Sequence, residues 1–267
     1  MNNKLRKSGW WIAGEVSLLC LWVMVSVIAV QLVVSFLLVL LIGKANLGQP
    51  VWTAVYSAIS YTLAMVLIIL VPPKIVAIWK AKHVNADKKS PEHLLGKKVS
   101  RADLGLHGWP TWTDVGLGPV GFIVSLLLAA ILVYLFTLFP WFDAGEAQNL
   151  GFSIYMSGGE RIVAFLTLVV IAPIAEEIIF RGWLYGKVRI LLSEKISGKW
   201  GIVVSILVVS VLFGLVHLQW NVGVNVFALS VVLCVLREIT GTIYAGILTH
   251  MLKNGVAFYL LYVIGIA

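Results

Sequence analysis

Charge is what this sequence has least of. Only 12% of its residues are Asp, Glu, Lys or Arg, about half the share that a water-soluble domain carries. With 60% hydrophobic residues and a mean hydropathy of +0.99, the chain lacks the polar surface that a soluble fold needs. Cysteine is scarce as well. Cys20 and Cys234 both lie inside apolar runs and read as small hydrophobes, not as a disulfide or a ligand pair. The apolar runs are continuous and do not alternate with period two, which excludes a β-barrel. In lipid, where every backbone donor must be satisfied internally, that leaves an all-α helix bundle. No long basic patch interleaved with aromatics occurs. The net charge of +8 is therefore no sign of a nucleic-acid partner. Internal repeats and low-complexity tracts are also missing.

What is present is a series of apolar stretches, several longer than the roughly 20 residues needed to cross a hydrocarbon core. Spans are expected at about 11–42, 51–78, 117–138, 160–190, 201–219, 222–237 and 240–266. A break near Gly255 would turn seven spans into eight. Pro72-Pro73 should kink or end the second helix, because neither proline donates to the helical ladder. Met1–Lys7 and the run behind it resemble a signal peptide, but the run is too long and lacks a small-residue cleavage site, so a retained span is expected. The regions expected are a two-span portion over 1–80, a polar loop over 81–116 and a helix bundle over 117–267. Lys4, Arg6 and Lys7, the basic residues from Lys80 to Arg101 and from Lys187 to Lys199, and Arg237 share one side. The other side offers Lys44 and Arg161 beside Asp143, Glu146 and Glu160. The positive-inside rule then makes this a multi-pass protein of the cell membrane with a cytoplasmic N-terminus and loop.

Ionisable groups inside spans are costly and mark function by default. In Ala172-Pro173-Ile174-Ala175-Glu176-Glu177-Ile178-Ile179-Phe180-Arg181, Glu177 and Arg181 are i,i+4 and can pair on one helix face. Glu176 points about 100° away, outside that pair, and is the carboxylate left to act as a general base for water. His217 closes Phe213-Gly214-Leu215-Val216-His217; alone it is more often a satisfied core residue than a catalyst. His250 and Asn254 are again i,i+4. They suit either oxyanion stabilisation or an interhelical polar clamp. Glu15, five residues beyond Trp10-Trp11, reads as interfacial, and His83, His93 and His107 as solvated loop residues. At 1.5 Å per residue from the basic ends of their spans, Glu176, His217 and His250 lie roughly 17, 22 and 18 Å deep. The three levels agree provided that Arg181 is inside the bilayer.

Taken together, E-E-x-x-x-R, F-x-x-x-H and H-x-x-x-N on separate hydrophobic helices resemble the CPBP (Abi) family of intramembrane proteases, which includes the type II CAAX prenyl endopeptidases. Arg101-Ala102-Asp103-Leu104-Gly105-Leu106, Arg181-Gly182-Trp183-Leu184-Tyr185-Gly186 and Thr240-Gly241 add to the likeness, which covers about 100–266. The resemblance implies an eight-helix core and an intramembrane endopeptidase. It implies that Glu176 and His217 activate a water, that Glu177 and Arg181 hold the helix, and that His250 and Asn254 stabilise the tetrahedral intermediate. The implied partner is a membrane-embedded or lipidated peptide, CAAX proteins among the candidates. Two histidines and a glutamate could also supply a zinc site with an open position, but no H-E-x-x-H motif is present, which favours a glutamate mechanism without a cofactor. Serine rhomboid chemistry lacks its nucleophile motif, and aspartyl chemistry lacks an aspartate within an expected span. A non-catalytic immunity or binding protein of the same fold, and a transporter, are the competing readings. The intact set of six residues favours the enzyme.

Overall fold

The computed structural model describes residues 9–82, 98–146, 152, 156–193, 195–196 and 198–265. Lys4, Arg6, Lys7, His83, Lys88, Lys89, His93 and Lys97 lie outside them. Every regular element among the described residues is helical. Seven helices matter: α1 (Gly9–Ile42), α2 (Pro50–Lys82), α3 (Trp112–Phe136), α4 (Gly158–Ser193), α5 (Lys199–Leu215), α6 (Trp220–Thr240) and α7 (Tyr244–Ile264). Six of them are long and apolar enough to cross a membrane; α5 is apolar but only 17 residues long. This is a polytopic helical membrane protein. Its outward faces carry exposed Leu32, Phe36 and Leu40 on α1 and Leu127 and Ile131 on α3, the surface that a lipid solvent accepts and water does not.

The seven elements fall where the apolar runs place them, with four differences. Helix α2 does not end at Pro72-Pro73 but continues to Lys82. Pro72 leaves the Ile68 carbonyl without its i+4 donor, and the indole Nε1–H of Trp22 on α1 reaches that carbonyl at 3.4 Å. Helix α3 begins at Trp112, five residues before the expected start. Thr111 and Asp114 close a reciprocal capping box there, which satisfies two otherwise orphaned donors. Asp114 thus lies in the first turn of a membrane helix, although no aspartate was expected in a span. Its buried carboxylate also accepts from Thr242 Oγ1 at 3.0 Å. Helix α5 ends before His217, which sits in the following turn. Gly255 does not break α7. It lies inside the helix, facing Val169, so no eighth span arises there.

Helices α1 and α2 pack on one another and on α4; α3, α6 and α7 form a second group; α5 packs between α4 and α6. Small residues allow the closest approaches. A Cβ on Gly118 would stand 2.9 Å from Leu248 Cβ, and Thr249 Oγ1 donates to the Gly118 carbonyl at 3.0 Å, the small-residue, hydroxyl-bonded packing that membrane helices use. The 98–108 segment is more than a solvated loop. A Cβ on Gly182 would stand 2.9 Å from the Leu104 carbonyl, and Gly105 (φ +70°) lies against the Arg237 guanidinium. The Ile243 N–H donates to the Gly105 carbonyl at 3.1 Å. The Arg-Ala-Asp-Leu-Gly-Leu and Arg-Gly-Trp-Leu-Tyr-Gly stretches therefore touch one another. His107 at the edge of this segment is exposed.

Candidate active site

Helix α4 carries both glutamates, and its backbone is irregular on either side of them. Turns at Leu166–Ile171 and Ile178–Leu184 are π-helical, flanking a short α-helical stretch, Ala172–Glu177. Pro173 explains where one carbonyl is lost. The Ala172 N–H bonds the Thr167 carbonyl, so the next donor in that register is Pro173, which has no N–H. The Leu168 carbonyl is left over, and the Asn254 side-chain amide donates to it at 2.9 Å. Such π-turns are frequent at functional sites.

Glu177 and Arg181 form a fully buried ion pair, Nη1 to Oε1 at 3.0 Å. The same Oε1 faces His250 Nδ1 at 3.1 Å, so Nδ1 is the nitrogen that carries hydrogen there. Three further features fit around the pair. Arg181 Cζ lies 4.3 Å from the centre of the Phe213 ring, a cation–π arrangement. Phe213 itself is edge-on to Phe180, His217 and His250. Gly246 of α7 leaves room for Glu177, since a Cβ there would stand 3.2 Å from Oε2. Arg181 is therefore enclosed by protein.

Glu176 faces elsewhere. It is partly exposed, to 15% of its side chain, into a cavity of about 230 Å³ bounded by α1, α2, α4 and α5. His217 lines the same cavity. Its Nδ1 lies 2.7 Å from the Phe213 carbonyl. A carbonyl only accepts, so Nδ1 holds the proton and Nε2 keeps its lone pair. Glu176 is not without a partner, as the i,i+4 spacing suggested: the hydroxyl of Tyr61 on α2 donates to its Oε1 at 2.7 Å. Its Oε2 lies 3.8 Å from His250 Nε2, too far for a hydrogen bond. His250 thus spans the two carboxylates.

The fold thus gathers Glu176, Glu177, Arg181 and His250 into one contact network, with His217 on the shared cavity. Asn254 is one turn from His250 and holds the α4 backbone. The motif spacings give no sign of Tyr61. It comes from a span to which they assign nothing, and a tyrosine far from either end of an apolar run is the one signal that could have found it. Among the described residues no group of three or more His, Cys, Asp or Glu side chains is placed to hold a metal ion. Residues 158–256, from the first turn of α4 to the last α-helical turns of α7, match the family model described as type II CAAX prenyl endopeptidase Rce1-like. Over this stretch the chain is similar to that family. All six candidate residues fall within the Rce1-like segment, whereas α1, α2 and α3 lie outside it. No curated protein and no solved structure matches the chain.

Proposed function

We propose that the protein is an intramembrane endopeptidase that hydrolyses a peptide bond in a membrane-embedded or lipidated substrate, CAAX-type chains among them. The observation that carries this reading is the division of labour between adjacent glutamates. Glu177 is consumed by Arg181 with no exposure, while Glu176 opens into a cavity that His217 shares. In this reading Glu176 Oε2 and His217 Nε2 hold a water and take its proton as its oxygen attacks the scissile carbonyl. The C–O bond forms, the carbonyl oxygen becomes an oxyanion, and the C–N bond then breaks as the proton passes to the leaving amine. With hydrogen on both ring nitrogens, His250 donates Nδ1–H to Glu177 and Nε2–H to the oxyanion. Asn254 has a second N–H for the same purpose, since its amide carries two and Leu168 takes one. No metal takes part.

The surrounding topology follows the basic residues. The 98–111 loop, the end of α4 and the turn after α6 pack together at one end of the bundle; Arg101 and Lys187 lie in these segments, Arg237 in the last turn of α6 and Lys199 at the start of α5. That end is cytoplasmic in this reading, with the N-terminus on the same side of the cell membrane. The 1–80 portion closes the site, and 117–267 holds the catalytic helices. A comparison of membrane N-terminal proteomes from a strain with the parent protein and one with Glu176→Ala tests the reading. An uncleaved precursor should accumulate in the variant. Identical N-termini in the two strains would instead favour a non-catalytic binding protein.

A further inference from the structure

The group in closest contact with Glu176 lies outside the Rce1-like segment. Tyr61 sits eleven residues into α2, roughly 17 Å from the helix start, near the middle of the span and far from the interfacial belts where membrane tyrosines gather. A phenol in that setting needs an acceptor, and its acceptor here is Glu176 Oε1 at 2.7 Å. Tyr56, Ser57 and Ser60 share its helix face and line the same cavity, so α2 presents a polar wall opposite Glu176 and His217.

We propose that Tyr61 is a positioning residue for the hydrolytic site, holding Glu176 Oε1 so that Oε2 is the oxygen presented to water. The inference rests on the reading of Glu176 as the base. The terminal torsion of a glutamate is broad and roughly two-fold, so an unheld carboxylate presents either oxygen at many angles. One charge-assisted bond from a phenol in a low-dielectric site fixes that rotation and keeps the base aimed before substrate arrives. The first two spans thereby become part of the active site and not merely an anchor. The hydroxyl acts through Glu176 and touches neither water nor peptide.

The test uses the full chain in lipid vesicles and the variants Tyr61→Phe, Glu176→Gln and the two combined. The substrate is a precursor that accumulates in the Glu176→Ala strain. If none accumulates, it is a farnesylated peptide ending in a CAAX sequence. The carboxylate infrared band that disappears in Glu176→Gln should shift in Tyr61→Phe, a readout that needs no substrate. Tyr61→Phe should lower kcat about tenfold, from the loss of one hydrogen bond to a charged group, with KM within twofold. The combined variant should be no slower than Glu176→Gln alone, because Tyr61 has nothing left to position. An unmoved infrared band, or full turnover by Tyr61→Phe where Glu176→Gln is dead, overturns the role of Tyr61 and leaves the glutamate mechanism standing. Full turnover by Glu176→Gln removes the mechanism itself, and the inference with it.

Discussion

Replacing Arg181 with alanine removes the cation from a pair in which neither side chain is exposed. Among the described residues Glu177 then keeps His250 Nδ1 at 3.1 Å, and its Oε2 has no hydrogen-bond partner. Breaking one side of such a pair leaves an uncompensated buried charge and costs about 3–5 kcal/mol. The stacking on Phe213 is lost too, which adds to the cost. For a chain of this size each kcal/mol is roughly 2–4 °C in Tm, so Arg181→Ala should melt roughly 6–20 °C below the parent. Tryptophan fluorescence on the protein in nanodiscs reads the transition; Trp183 is buried two residues away. The pair need not be a net stabiliser, however. Among the described residues Arg181 Nε and Nη2 meet no oxygen or nitrogen acceptor, so desolvation is incompletely offset, and Glu177→Leu combined with Arg181→Met should melt closer to the parent than Arg181→Ala does. Arg181→Ala melting within about 2 °C of the parent would refute the claim that this pair is enclosed.

Asn254→Ala strands the Leu168 carbonyl beside Pro173 and should cost about 1–3 kcal/mol. Asn254→Asp, which cannot donate, should behave alike, and unchanged denaturation midpoints for both would show that the amide is not holding α4. If no metal takes part, exhaustive chelation of the purified protein should leave its hydrolysis rate unchanged, with zinc well below stoichiometric by elemental analysis. Loss of activity on chelation with recovery on zinc addition would make His217 and His250 ligands.

Helix positions were legible because lipid demands long apolar runs, and each of the seven appears. Their ends were less so, because caps and turns decide them: the Thr111–Asp114 box starts α3 early, and the turn at Val216–His217 stops α5 short. Pro72-Pro73 do not end α2, and the carbonyl that Pro72 frees, Ile68, takes a tertiary donor from Trp22 that the sequence does not announce. In the site, the i,i+4 pairing of Glu177 with Arg181 was readable since both partners are on one helix. The acceptors of Tyr61 and Asn254 were not. Each is a contact between different helices, and the second arises only because a π-turn and Pro173 together free the Leu168 carbonyl. Nor did the motif spacing reveal why Phe213 precedes His217. Its ring stacks on Arg181 and its carbonyl fixes the His217 tautomer.

The central claim is that Glu176, not Glu177, is the base. Its most direct test is single-turnover hydrolysis by purified Glu176→Gln in lipid vesicles, on a precursor found to accumulate in the Glu176→Ala strain. The substitution is nearly isosteric and the amide can still accept from Tyr61, so folding and insertion should match the parent. The rate should fall by at least about 10²–10⁴, the usual contribution of a positioned general base. Turnover within a factor of a few of the parent would contradict the account.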